Sequence, residues 1–112
     1  MLTIDKLREL GVKPEEGLER CLNNENFYLN LVGKALDNDS VESLDASLKN
    51  GDLEEGFKIA HSLKGVYGNL SLTPLYDDVV ELTELLRNKM QVDYSPYMMK
   101  FLEKYNKFKE LL

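Results

Sequence analysis

Apolar residues recur along the chain mostly at intervals of three and four positions, the spacing that places them on one face of an α-helix. Runs of β-branched residues are absent, and Leu, Glu, Lys and Ala, which favour helices, dominate. Glycine, proline and short polar residues interrupt the spacing. The pattern therefore predicts helices over about residues 4–10, 14–22, 25–36, 41–49, 53–70, 74–90 and 96–112.

Several predicted helix starts carry side chains suited to capping. Ser40 and Asp52 can each serve as an N-cap, and Glu55 follows Asp52 at the spacing of a capping box. Thr73 and Ser95 are also predicted N-caps, and each precedes a proline at the first helical position. Proline is tolerated there because its missing N–H would be unpaired anyway. These residues predict sharp helix starts after short turns.

The order of helices predicts an antiparallel four-helix bundle with short N-terminal helices. Three long helices and the 25–49 stretch can enclose one apolar core, with the first residues as a cover. The methionine and aromatic residues of the last helix are interpreted as part of that core rather than as a cofactor site. Residues 1–112 are therefore predicted to form a single all-α domain.

The charge balance narrows the class of partner. Acidic residues outnumber Lys and Arg by 20 to 14, which gives a net charge of −6. This argues against binding to nucleic acid or to anionic membranes, and it favours folded protein partners. No apolar run is long enough to span a membrane, and no signal peptide is apparent. Cys21 is the only cysteine and is interpreted as a core residue, which fits a reducing compartment, so we expect a cytoplasmic protein. A monomer is expected for a small acidic domain.

His61 is the only histidine and the leading candidate for chemistry near neutral pH. At about 100° per residue, four apolar residues of its helix fall roughly opposite the imidazole. They are predicted to form the buried stripe: Ile59, Leu63, Val66 and Leu70. His61 is therefore predicted to face solvent or a partner.

The face of the helix that carries His61 also has lysines and two glycines. Lys58 lies three residues before the histidine, and Lys64 lies three residues after it. Gly65 and Gly68 each cost a helix about 1 kcal/mol relative to alanine. Close helix packing is one explanation for the glycines. The favoured one is that a partner's backbone or a bulky phosphorylated group approaches the helix there.

Other chemistries fit the sequence less well. A metal site would have one histidine, and it would need carboxylates for the remaining ligands. Ser62 or Ser71 could be drawn into a Ser-His-Asp triad, but nothing places a base and an acid beside either serine. The acidic pairs Asp77-Asp78 and Glu81/Glu84 are interpreted as solvated faces. No glycine-rich loop follows a strand, so no nucleotide site, no metal and no cofactor are predicted.

The region around His61 resembles the signature of histidine-containing phosphotransfer (HPt) domains of two-component phosphorelays. The matching residues are Ala60-His61-Ser62-Leu63-Lys64-Gly65, followed by Asn69-Leu70. Further segments also resemble the family: Gly11-Val12, Glu16-Gly17-Leu18, Arg20, Phe27-Tyr28-Leu29, Gly51-Asp52 and Leu72-Thr73-Pro74-Leu75. Ser71 departs from the pattern, since the family often has glycine there.

The resemblance implies that His61 accepts a phosphoryl group, that Lys64 steadies it, and that Gly65 lets a receiver domain approach. The chain would relay the group between receiver aspartates without catalytic activity of its own, and the receiver would supply Mg²⁺. Partners would be response-regulator receivers, a hybrid sensor histidine kinase, or both. The docking surface is expected to include Lys58, Ser62, Gly68 and Asn69. Apolar candidates at its rim are Leu7, Leu10 and Val12.

Two alternatives remain open at this point. The chain could be the phosphoacceptor domain of a chemotaxis-type kinase, which a dimerisation and ATPase segment downstream would indicate. It could instead be an interaction module that binds a receiver or another helix without chemistry. A His61→Gln variant separates these classes, because a scaffold would keep its activity and a relay would lose it.

Overall fold

The computed structural model describes all of residues 1–112 and contains only helices. In chain order they are α1 (Ile4–Glu9), α2 (Glu15–Arg20), α3 (Glu25–Leu36), α4 (Ser40–Lys49), α5 (Leu53–Asn69), α6 (Thr73–Arg87) and α7 (Ser95–Lys109). The molecule measures 42 × 24 × 20 Å. The all-α prediction is confirmed.

The helices pack as the predicted bundle. The most extensive contact joins α5 to α6, while α4 also packs against α5 and α7 packs against α6. Helix α3 closes the bundle against α7, and α2 contacts α3. Short turns join the long helices, so consecutive ones run antiparallel. The predicted fourth member is thus two helices, α3 and α4.

One apolar cluster fills the bundle and includes Leu7 and Val12 from the N-terminal cover. The large aromatic residues are at its centre, with the side chains of Tyr28, Tyr67, Tyr105, Phe101 and Phe108 almost completely buried. Three of these, Phe101, Tyr105 and Phe108, belong to α7, which confirms that aromatic residues of the last helix are part of the core. Cys21 is buried and unpaired, as expected.

Only one of the four predicted capping residues acts as a cap. The side chain of Asp52 accepts a hydrogen bond from the amide of Glu55 at 3.1 Å. Ser40, Thr73 and Ser95 are instead the first residues of their helices, so the prediction is wrong for them. The backbone N–H of Ser40 donates a hydrogen bond to the side-chain oxygen of Asn38. The backbone N–H of Ser95 donates in the same way to Asp93.

The predicted solvated face of α6 is wrong for Asp78. Its side chain is only 5% exposed, and its oxygens lie 3.2 Å from the Lys104 ammonium and 3.5 Å from that of Lys100. Lys100 also pairs with Glu81 at 3.1 Å, and this hydrogen bond, together with the charge of Asp78, raises the pKa of Lys100. A buried carboxylate would be costly alone, so the two lysines of α7 compensate it and link α7 to α6.

Gly17 lets α2 approach the turn that follows α5. A Cβ atom at this position would lie 2.6 Å from the Tyr28 ring and 2.9 Å from the backbone oxygen of Leu70. The Tyr28 hydroxyl already donates to that same oxygen at 2.7 Å, so neither group can move freely. Even one methyl group would therefore separate α2 from the bundle.

We expect Gly17→Ala to destabilise the protein by about 1–3 kcal/mol, because overpacking outweighs the gain in helix propensity. Urea unfolding followed by circular dichroism would measure the change. Gly33→Ala on α3 is the matched control, since a Cβ atom there meets nothing within 4 Å. Equal stability of the wild type and Gly17→Ala would show that α2 does not need this close approach.

Candidate functional site

Helix α5 buries one face and exposes the other, as an amphipathic helix should. Its buried residues are Gly56, Ala60, Leu63 and Tyr67, and Leu70 is buried directly after it. The predicted stripe is thus correct for Leu63 and Leu70. It is wrong for Val66, which is 38% exposed, while Ile59 is half-buried. His61 lies on the exposed side, as predicted.

An aromatic side chain lies against the imidazole. The rings of Phe57 and His61 are stacked, with centroids 5.7 Å apart and planes 19° from parallel. Arg87, in the last turn of α6, places its guanidinium carbon 5.3 Å from the centroid of the Phe57 ring. Arg87 also pairs with Glu84 at 3.4 Å. The sequence analysis missed both Phe57 and Arg87, although Phe57 is four residues before His61 and hence on its face.

The lysines beside His61 carry uncompensated charge. Lys58 is exposed, Lys64 is half-buried, and neither takes part in any of the ion pairs of the chain. Ser62 is exposed as well. The two lysines are therefore cations beside His61 that are free to interact with an anionic group.

The two glycines of this face have different surroundings. A Cβ atom at Gly65 would meet nothing within 4 Å, so the helix is bare there. A Cβ atom at Gly68 would lie 3.0 Å from the Tyr76 ring of α6. The predicted open surface at Gly68 is therefore wrong, and helix packing explains this glycine. The open surface is confirmed at Gly65.

The C-terminal end of α5 is held by residues far away in the sequence. Arg20 donates hydrogen bonds to the backbone oxygens of Gly68, at 3.3 Å, and Asn69, at 2.9 Å. These bonds satisfy carbonyls that a helix end leaves free, and a cation is favourable at this pole of the helix dipole. The side chain of Asn69 is exposed. Burial, together with nearby Cys21 and Glu15, raises the pKa of Tyr28 to about 12, so its hydroxyl stays a donor to Leu70.

Ser71, which departs from the pattern of the resemblance, has a backbone conformation that favours glycine. Its φ is +59°, in the left-handed region, where glycine has no steric penalty. The turn between α5 and α6 thus keeps the geometry that a glycine would adopt, with a serine in a less favourable conformation. The departure lies in the turn, and α5 remains helical through Asn69.

The N-terminal cover does not supply the apolar rim that the sequence suggested. Leu7 and Val12 are buried in the core and Leu10 is half-buried, so the first two are wrong as docking residues. No group of three or more histidine, cysteine, aspartate or glutamate side chains is placed to hold a metal ion. The exposed face of α5 therefore carries one imidazole, two unpaired lysines and, at Gly65, backbone that no side chain covers.

Comparison with known families agrees with this arrangement. The family model described as Hpt domain matches residues 37–107, well over half of the chain. The chain therefore belongs to the Hpt domain family, whose members carry phosphoryl groups in phosphorelays. No curated protein and no solved structure matches the chain. None of its helices has the length and apolar character needed to cross a membrane.

Proposed function

We propose that this protein relays a phosphoryl group between receiver-domain aspartates through a phosphohistidine at His61. The observation that carries the proposal is the exposed imidazole of His61, the only histidine, on a face with free lysines and an open backbone at Gly65. Membership of the Hpt family supports the class of reaction. The particular residues are assigned by their position on this face.

The proposed step needs little from the protein besides a nucleophile. A neutral imidazole has a lone pair on one nitrogen and a hydrogen on the other. The lone pair attacks the phosphorus of the aspartyl phosphate, the P–N bond forms, the P–O bond breaks, and the receiver regains its carboxylate. The second nitrogen keeps its hydrogen, so no base has to remove a proton. The reverse sequence delivers the group to the next aspartate.

Lys64 is proposed to stabilise the transferring group, whose equatorial oxygens spread negative charge in the transition state. Gly65 is proposed to let the receiver surface reach the helix. Lys58, Ser62 and the Asn69 side chain are exposed around them and would contact the receiver. The receiver would provide Mg²⁺ and most of the catalytic groups, which leaves this chain as a carrier without catalysis of its own.

Residues 1–112 are proposed to form one domain, because the single apolar core includes side chains from before and within the family match. A monomer is the proposed state of this small acidic domain. Its partners would be response-regulator receivers, a hybrid sensor kinase, or both. The unpaired Cys21 is in keeping with a cytoplasmic location.

Incubation with a receiver domain labelled by radioactive acetyl phosphate tests the proposal. We expect the label to move to this chain, to be labile in acid and stable in base, and to map to His61. Acid-stable label, label on another residue, or no transfer from any of a panel of receivers would contradict it.

A further inference from the structure

We propose that Phe57 is a positioning residue for His61, which holds the imidazole ready for attack before the receiver docks. This inference rests on the proposed function, since it concerns the rate of the same transfer. It assigns a role to a side chain outside the motif that contains the histidine.

The contact geometry supports a positioning role. Phe57 lies four residues before His61, so the two side chains neighbour each other on α5. Their rings are nearly parallel, at 19°, with centroids 5.7 Å apart. Phe57 is half-buried and packs against the core, whereas His61 is exposed. A fixed ring thus contacts a side chain that solvent alone would leave free to change rotamer.

A second helix restrains the aromatic ring. The Arg87 guanidinium is 5.3 Å from its centroid, and Arg87 is itself held by Glu84 on α6. Cations over an aromatic face are attracted to its negative potential. Phe57 therefore contacts the core, the imidazole and a cation of α6, so its position depends on packing between α5 and α6 as well as on its own helix.

Stacking restrains the imidazole without blocking it. The nitrogen lone pair used for attack lies in the plane of the ring, while the stacking contact engages its face. An in-line displacement requires this lone pair to point at the phosphorus. If stacking already excludes unproductive rotamers of His61 before docking, their loss adds nothing to the barrier of the transfer. Such preorganisation raises the maximal rate.

Phe57 could instead be an apolar contact for the receiver, and the two roles predict different kinetics. A docking contact would change the receiver concentration that gives half the maximal rate. A positioning residue would change the maximal rate and leave that concentration as it was. Phe57→Leu removes the ring but keeps an apolar helix-forming side chain, and Phe57→Tyr keeps the ring.

Single-turnover transfer from the receiver that labels the wild type fastest tests the inference. We expect Phe57→Leu to lower the maximal rate about threefold to tenfold at an unchanged half-saturating concentration, and Phe57→Tyr to restore it. NMR of the His61 ring should show altered proton shifts in Phe57→Leu alone, because the ring current is lost. Phe27→Leu on α3, which replaces an exposed phenylalanine, is the matched control.

An unchanged maximal rate in Phe57→Leu, or a change confined to the half-saturating concentration, would overturn the positioning role. So would His61 ring shifts that do not respond to the substitution. If the wild type accepts no label at all, the proposed function fails, and the NMR comparison still decides whether Phe57 holds the imidazole.

Discussion

Replacement of His61 by glutamine is expected to reduce phosphoryl transfer to the chain by about 10³-fold or more, because no other group can form the P–N bond. The exposed position of His61 means that the bundle should remain intact. The variant loses the stacking contact with Phe57, so we expect its stability to change by no more than about 1 kcal/mol. Transfer of radioactive label and thermal unfolding measure the two effects.

The same variant separates a relay from an interaction module. Receiver binding, measured by calorimetry, should persist in His61→Gln, because glutamine is polar and of similar reach. Asn30→Ala is a suitable control, since it replaces an exposed polar residue of α3 that lies outside the proposed docking surface. Undiminished labelling of His61→Gln would place the phosphoryl group elsewhere and remove the basis of the proposal.

Substitution of Gly65 by glutamine is expected to raise the stability of the fold and to lower the rate of phosphoryl transfer. Space around this position is open, and glutamine favours a helix over glycine by up to about 1 kcal/mol, so Gly65→Gln should unfold at a higher urea concentration. Its side chain would stand where the receiver is proposed to approach. A displacement of the reacting groups by about 1 Å can cost a factor of about 10² in rate, and we expect a loss of that size.

Two matched variants identify the cause of such a loss. Gly33→Gln makes the same change on α3, again into open space, and should leave transfer unaffected. Gly65→Ala should have a smaller effect in the same direction as Gly65→Gln. If Gly65→Gln transfers at the wild-type rate, the receiver does not approach over this part of α5.

The helices and the exposure of His61 could be predicted because they depend on local sequence. Periodic apolar positions and helix-breaking residues fix where helices form, and the angle per residue fixes which side chains share a face. Local sequence could not predict which of the apolar side chains of α5 are buried. Val66 and Leu63 lie only three residues apart on similar sides of α5, yet the packing of α4 and α6 buries one and exposes the other.

The wrong predictions for Gly68 and Asp78, and the failure to find Arg87, have one cause, which is contact between different helices. Gly65 and Gly68 are both glycines on the same face of α5. Their surroundings differ only because the Tyr76 ring of α6 lies against Gly68. Asp78 looks solvated beside Asp77 until Lys100 and Lys104 are placed against it by α7. Arg87 lies 26 positions after His61, and only the antiparallel pairing of α5 and α6 brings it to Phe57.

The hydrogen bonds from Arg20 and Tyr28 bear on how a shortened version of this protein should be designed. Both donors precede residue 37, where the family match begins, yet they bind the backbone oxygens of Gly68, Asn69 and Leu70. A fragment trimmed to the matched region would leave these oxygens without their donors, and it would remove Tyr28 and Leu7 from the apolar core. Truncation boundaries for expression or for fusion to other domains therefore belong ahead of α1.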